Sequence, residues 1–389
     1  MRKDGIAMNK RYLKIIAFLL IALIMLAGCG KTIEKQTEQS ATTSVQQTAE
    51  PEKDVQDKKT KKIVDMAGRT VEIPTEIKKA YSTSQIGIII LYTINPDKLA
   101  GWGFALLPEE KKYISDKYYN LPVLGTWSGK NGTGNIEEII KVHPDVIFSI
   151  GTIDDFQKTL SDKIQEQTGI PVVMVDGPLD KQNEVYEFLG DIMEEQDRCK
   201  ELSEYCSKTI SDIKMQVEKV PKEKRLKVYY AEGQKGLETD PKGSFHTEVL
   251  DFVGGINVAD VPMQKGYGRS QVSLEQLLKW NPDIIITGYD KETGGEFFKD
   301  VFDNSDWKSI KAVKDKRVYQ IPAYPFDWFD RPPSVNRIIG VKWLAKLLYP
   351  EYIEVNMVAE VKDFYEKFYH KKLTDDEVKQ LIQNTGVNN

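Results

Sequence analysis

The 389-residue chain is poor in the side chains that usually build metal and redox centres, with three histidines and three cysteines. So few imidazoles and thiolates make it hard to assemble the nitrogen and sulfur ligand set of a bare zinc-type ion. Beyond residue 28 no apolar run is long enough to cross a bilayer. No basic stripe follows the first few residues and the net charge is −5, which argues against a nucleic-acid partner. The nucleophile elbow, the phosphate-binding loop, HExxH and the dinucleotide glycine motif are all missing. No familiar catalytic signature therefore points to an enzyme.

What is present begins at the N-terminus. Arg2, Lys3, Lys10, Arg11 and Lys14 surround the start of 13 apolar residues, Ile15 to Ala27. That run is short for a membrane span and fits an export signal over residues 1–28. It closes on Leu26-Ala27-Gly28-Cys29, which resembles the lipobox of bacterial lipoproteins. The resemblance implies lipidation of Cys29; an ordinary signal peptide and an uncleaved anchor are the alternatives. Residues 29–60 are dominated by Gln, Thr, Lys and Glu. Such a stretch buries too little apolar surface to offset its ordering entropy and is expected to be a flexible tether.

One phrase occurs twice. "NIEEIIKVHPDVIFSIG" and "SLEQLLKWNPDIIITG" align so that Glu137 meets Glu275, Pro144 meets Pro282 and Asp145 meets Asp283, 138 positions apart. In each copy apolar residues at helical spacing run into His-Pro-Asp or Asn-Pro-Asp, where proline ends the helix. A continuous apolar run then follows, Val146 to Phe148 or Ile284 to Ile286, as in a strand buried on both faces of a parallel sheet. Each copy is thus helix, turn, buried strand and loop. Two copies predict two α/β lobes, 61–183 and 221–389. Between them, apolar residues at Val185, Leu189, Ile192, Cys199, Leu202, Cys206, Ile210, Ile213 and Val217 predict one long rigid interlobe helix over 184–220. Cys199 and Cys206 lie about 10 Å apart along that helix, which suits packing rather than a mutual disulfide.

Ligands of open α/β sheets bind beyond the carboxyl ends of the strands, so the loops there supply the candidate contacts. In the first lobe these are Ser82, Thr83, Ser84 and Gln85, then Trp127 and Ser128 in "GTWSG", and Thr152. In the second they are Glu232, Tyr267, Arg269, Tyr289, and Tyr324, Trp328 and Arg331 in "AYPFDWFDRPPS". Phe326 and Phe329 of that stretch read as core, and Ser334 as the cap of the helix that follows. Aromatic faces with a guanidinium suit a large, flat or partly aromatic ligand. His143 reads as a turn residue, His246 as a neighbour of the second lobe's cleft and His370 as solvated. No resident cofactor or protein-bound metal is expected; a metal bound here would have to arrive in its own chelator or macrocycle.

Together, the hairpin "VDMAGRTVEIP", both glutamate phrases, the interlobe helix and Cys29 resemble the ABC-transporter solute-binding lipoproteins for ferric siderophores, cobalamin and haem. The likeness covers residues 61 to 389. It implies the class III periplasmic-binding-protein fold, two Rossmann-like lobes joined by a long helix. It further implies capture of an iron(III)-siderophore between the lobes and delivery to an ABC permease dimer driven by its ATPase, with cobalamin or another corrinoid, or haem, as alternatives. By motif position Glu137 and Glu275 would dock on the permease, with Glu138 a nearby rival to Glu137; each also suits the first turn of a helix. The protein would act as a monomer, lipid-anchored on the outer face of the cytoplasmic membrane. A structural or adhesive surface lipoprotein and a hydrolase are the readings from other classes.

Overall fold

A computed structural model describes residues 59–127, 132–264, 269–288 and 297–387. Cys29, Ser128, Tyr267 and Tyr289 lie outside the described residues, as does nearly all of the expected tether. The chain first forms an antiparallel hairpin of β1 (Thr60–Val64) and β2 (Thr70–Pro74). Its turn is set by Asp65, whose carboxylate accepts the backbone N–H groups of Ala67 and Arg69 and the Arg69 guanidinium. Gly68 takes the left-handed conformation there at φ +78°, which glycine adopts without steric cost. Arg69 also donates to the Val172 carbonyl at 2.7 Å, and Asp65 accepts from the Met174 N–H at 3.1 Å. These bonds fasten the hairpin to the first sheet.

That sheet contains β3 (Ala80–Ser82), β4 (Val146–Gly151) and β5 (Val172–Asp176), with α1 (Gln85–Ile94), α2 (Ile136–Val142) and α3 (Asp155–Thr168) between them. The strands pair in parallel in the order β3-β4-β5, and Ala80 forms a further parallel bridge to Leu99. Val146, Ile147, Phe148, Val172 and Val173 are fully buried, as expected for strands covered on both faces.

The expected single helix over 184–220 is instead a hairpin of α4 (Gln182–Met193) and α5 (Gln196–Val217). Glu194 turns left-handed, and the N–H of Glu195 returns to the Gly190 carbonyl at 3.0 Å. Lys98 Nζ caps the Met193 carbonyl at 2.7 Å and pairs with Glu195 at 2.9 Å. The two helices pack closely enough that a Cβ on Gly190 would lie 2.8 Å from that of Cys199. Ser203 donates to Glu187 at 2.7 Å across the same contact. Cys199 and Cys206 are free and buried. The long connecting element is α5 alone, 22 residues, about 33 Å.

The second sheet comes from β6 (Lys227–Ala231), β8 (Ile256–Asn257), β10 (Ile284–Thr287) and β11 (Val318–Gln320), parallel in the order β11-β10-β6-β8. A small antiparallel pair, β7 (Glu238–Thr239) with β9 (Ser270–Gln271), stands beside it. Helices α6 (Glu248–Phe252), α7 (Leu274–Trp280), α8 (Arg337–Leu348), α9 (Met357–Tyr369) and α10 (Asp375–Leu381) complete the lobe. The order β11-β10-β6-β8 repeats β5-β4-β3-Leu99, so the two phrases occupy equivalent places in two separate sheets. His143 and Asn281 close α2 and α7 left-handed at φ 49° and 45°. Asp145 then accepts the N–H of Lys79, and Asp283 that of Lys227, each at 2.9 Å.

All described residues belong to one unit, Gln56–Asn389. Within it α9, from the second lobe, packs on the first lobe and on the connecting helices through aromatic rings: Tyr369 lies 6.1 Å from Tyr92, and Phe368 lies 5.2 Å from Tyr205 and 6.2 Å from Tyr186. Among the described residues no helix is long and apolar enough to cross a membrane.

Candidate functional site

The carboxyl ends of both sheets border a cavity of about 380 Å³. The first lobe contributes Thr152 after β4, Asp176 at the end of β5, and Pro178; the second contributes Gly243, Ser244, Phe245, Glu248 and Asp251. Every charged residue among these is a carboxylate. Burial raises the Asp251 carboxyl above its ordinary range against the opposing pull of Lys242. Behind the wall, the fully buried guanidinium of Arg337 lies over the Phe245 ring at 4.8 Å and pairs with Glu248 at 2.7 Å.

From Ser244 a network of buried charge runs through the strand-end loops of the second lobe. Ser244 Oγ donates to Asp240 at 3.2 Å. Asp240 accepts from Arg331 Nη2 at 2.6 Å, and Arg331 Nε donates to Glu232 Oε1 at 2.7 Å. The same Glu232 oxygen pairs with Arg269 Nε at 2.8 Å. Asp330 lies 3.2 Å from Arg331 and holds the ring of His246. Burial drives the Glu232 carboxyl well above its usual pKa, against the pull of Arg331. Arg331 loses solvation, yet Asp330 and Glu232 more than offset this and hold it above its ordinary value. Glu232, Arg269 and Arg331, far apart in sequence, are thus brought together.

One ligand atom each from Asp240, His246 and Asp330 falls within 4.8 Å of the others. Arg331 already neutralises both carboxylates, so a bare cation would face a guanidinium 2.6 Å from Asp240. The donor set does not fit a simple metal centre.

The other predicted contacts divide. Thr152 lines the cavity. Gln85 is buried at the start of α1 and, among the described residues, neither amide atom has a hydrogen-bond partner. Trp127 packs half-buried over Gly134. Ser84 is not available as expected: it is buried, donates to the Ile150 carbonyl at 2.9 Å and caps α1 through the Gly87 N–H. Ser82 is likewise buried and bonded to the Phe148 carbonyl. Trp328 is fully buried and donates to Tyr365 at 3.3 Å, so it is core rather than a ligand face. In this irregular loop Phe326 and Phe329 are core as expected, and Trp328 is buried with them. Tyr324 stacks on Tyr113 of the other lobe, ring centroids 6.5 Å apart. Helix α8 starts at Arg337 after Asn336 rather than from Ser334. His143 and His370 are helix C-caps. Glu137 and Glu275 are exposed at the second position of α2 and α7.

Sequence reasoning missed Asp176, Asp240, Ser244, Glu248, Asp251 and Asp330. The polar "TDPKGSFHTE" loop, Thr239 to Glu248, was the available signal.

Two parallel-sheet lobes with strand ends on a shared cavity define a two-lobed α/β binding protein of the class III periplasmic-binding-protein fold. The chain belongs to the periplasmic binding protein family, whose profile matches residues 88–325. It is 25% identical over 340 residues to the molybdate-binding protein MolA of Haemophilus influenzae, covering 81% of this chain and 92% of that one. It is 28% identical over 356 residues to the ABC transporter substrate-binding lipoprotein YvrC of Bacillus subtilis, covering 88% and 98%. An ABC transporter solute binding protein from Sulfurospirillum deleyianum superposes with a TM-score of 0.76 at 30% identity, covering 83% of this chain and 99% of that one. The protein is therefore an ABC-transporter solute-binding protein; its relatives are solute carriers rather than enzymes.

Proposed function

We propose that this protein is a lipoprotein, anchored through Cys29 outside the cytoplasmic membrane, that captures a ferric siderophore between its lobes. It presents the loaded complex, as a monomer, to a permease dimer and its ATPase. The observation carrying this reading is the cavity bordered by both lobes, with the Phe245 ring on its wall. A chelate offers such a site both an apolar body and polar oxygens. Glu137 and Glu275 support the delivery step. They stand at equivalent exposed positions on pseudo-equivalent helices, so matched basic pockets on a dimeric channel would set the orientation. The tether keeps the protein beside its permease at high effective concentration.

The test is mass spectrometry of ligand co-purified from iron-limited cells, with uptake measured in Glu137→Lys/Glu275→Lys. A ferric siderophore should co-purify, and the double variant should lose uptake while keeping its ligand affinity. Recovery of a corrinoid, haem or molybdate, the last in keeping with the name of MolA, would replace the siderophore. A fall in affinity in the double variant would remove the docking assignment.

A further inference from the structure

Helices α2 and α7 carry the two copies of the repeated phrase, and their buried positions match for a packing reason. Ile139 and Leu277 are fully buried, and Pro144 and Pro282 are buried beside them. Exposed positions of a repeat are free to diverge unless they keep a duty. Asn135 and Ser273 keep one as N-caps, and His143 and Asn281 as left-handed C-caps. Three exposed pairs remain: Glu137 with Glu275, Ile140 with Leu278, and Lys141 with Lys279. A glutamate in the first turn and a lysine in the last suit the helix dipole, and Glu275 pairs with Lys279 at 2.9 Å. That accounts for the acid and the base. It does not account for an aliphatic side chain kept in water on both helices.

Ile140 and Leu278 are 36% and 39% exposed. Among the described residues eight large apolar side chains are this open, and these two alone fall at equivalent places in the repeat. A single exposed aliphatic residue means little. The same one three positions after the same glutamate, on both helices, is a patterned surface. Residues three apart share a helix face, so each glutamate and its aliphatic neighbour stand about 4.5 Å apart along the axis. Two like patches on one chain fit a partner that is itself doubled, as a permease dimer is. A self-pairing patch present twice would string copies of this chain into open arrays rather than close a dimer.

We infer that Ile140 and Leu278 are the apolar anchors of the permease interface, each seated in a shallow apolar pocket of one permease subunit, one helical turn from the basic group that receives Glu137 or Glu275. This step rests on the delivery reading above. The glutamate steers and orients the encounter. The aliphatic side chain, desolvated on docking, holds the complex, as an apolar centre within a polar rim does. Lys141 and Lys279 stand at that rim.

The experiment expresses the full chain in its host with Ile140→benzoylphenylalanine or Leu278→benzoylphenylalanine, irradiates the cells and identifies adducts by mass spectrometry. Both positions should yield an adduct with the same multispanning membrane protein. Met215→benzoylphenylalanine, at a more exposed site on α5, should not. In parallel, Ile140→Ser/Leu278→Ser and Glu137→Lys/Glu275→Lys are compared for binding to right-side-out membrane vesicles of the host, with liposomes of the extracted lipids as the blank. The serine pair should keep its circular dichroism and lose about a hundredfold in vesicle affinity, about tenfold for each anchor. Adducts with lipid alone, with a second copy of this chain, or with nothing overturn the inference, and this arm decides if the serine pair does not fold. Wild-type binding by the serine pair with binding lost in the lysine pair overturns the anchors and leaves the docking glutamates standing. Loss in the serine pair with the lysine pair still bound supports the anchors and removes the glutamates. Wild-type binding by both pairs overturns the inference together with the docking reading beneath it.

Discussion

Asp327 shows how much one ionisation can matter to this fold. Its carboxyl accepts the N–H groups of Phe329 and Asp330 at 2.7 and 2.9 Å, yet burial raises its pKa to about 7. In the unfolded chain an aspartate titrates near ~3.9. A folded pKa above the unfolded one means that the native state binds more protons between those values. Stability therefore falls as pH rises through this window and stays reduced above it. Asp327→Asn keeps an oxygen for both N–H groups and removes the charge. Its unfolding free energy in urea should exceed the wild-type value at pH 8 by more than at pH 5, a difference of at most about 3 kcal/mol. Parallel pH–stability curves would contradict this. Residue identity alone is a poor guide at this scale: Trp328 and Arg331, three positions apart, read as equal partners in one aromatic-rich loop. The fold buries the first completely and leaves the second partly open, because inward and outward are decided by what packs against the loop. Residue Gly340 is one such neighbour, since a Cβ there would lie 1.8 Å from the Trp328 carbonyl oxygen.

At the scale of elements, the duplicated phrase is a helix-stop device. The left-handed His143 or Asn281 ends the helix, proline prevents its continuation, and the aspartate after it locks the start of the neighbouring strand. Asp145 accepts the backbone N–H groups of Lys78 and Lys79, and Asp283 accepts that of Lys227 while pairing with Lys311 at 2.6 Å. Asp145→Ala and Asp283→Ala should each cost about 1–3 kcal/mol in urea denaturation, because strand-entry donors lose their acceptor. An absence of measurable loss in both would mean that proline alone sets the turn. The strands of the phrase were legible because double burial needs an unbroken apolar run. The break between α4 and α5 was not, since helical spacing resumes after it. A gap of seven between Ile192 and Cys199 was the one trace. The reversal itself is held by Lys98 and Asn95, distant in sequence, which grip Glu195 and the Met193 carbonyl.

At the scale of the molecule, the lobes are tied by more than α5. Helix α9 belongs to the C-terminal end of the chain, yet its rings meet Tyr92 of α1, Tyr186 of α4 and Tyr205 of α5. The Tyr113–Tyr324 stack adds a second crossing, and Arg198 joins the carbonyls of Thr93 and Lys367. Such a seam restrains lobe travel, as a clamp of limited opening requires. Phe368→Ala should cost about 3–5 kcal/mol by removing a ring buried among three others. Unfolding measured with and without bound ligand should show that loss in both states. A loss confined to the unliganded protein would instead make the seam part of a closing motion.

The chain by itself determined the layered α/β architecture, the two equivalent lobes and the equivalent glutamates, because hydrophobic period, proline and glycine act over a few residues and leave local marks. It also placed Glu232, Arg269 and Arg331 at strand ends, since a βα repeat puts its loops there. Only the tertiary structure decided that these three share one charge network, that Trp328 is core, and that acidic residues border the cavity. Burial and ion pairing arise between segments some hundred positions apart, and no local pattern encodes which of them meet.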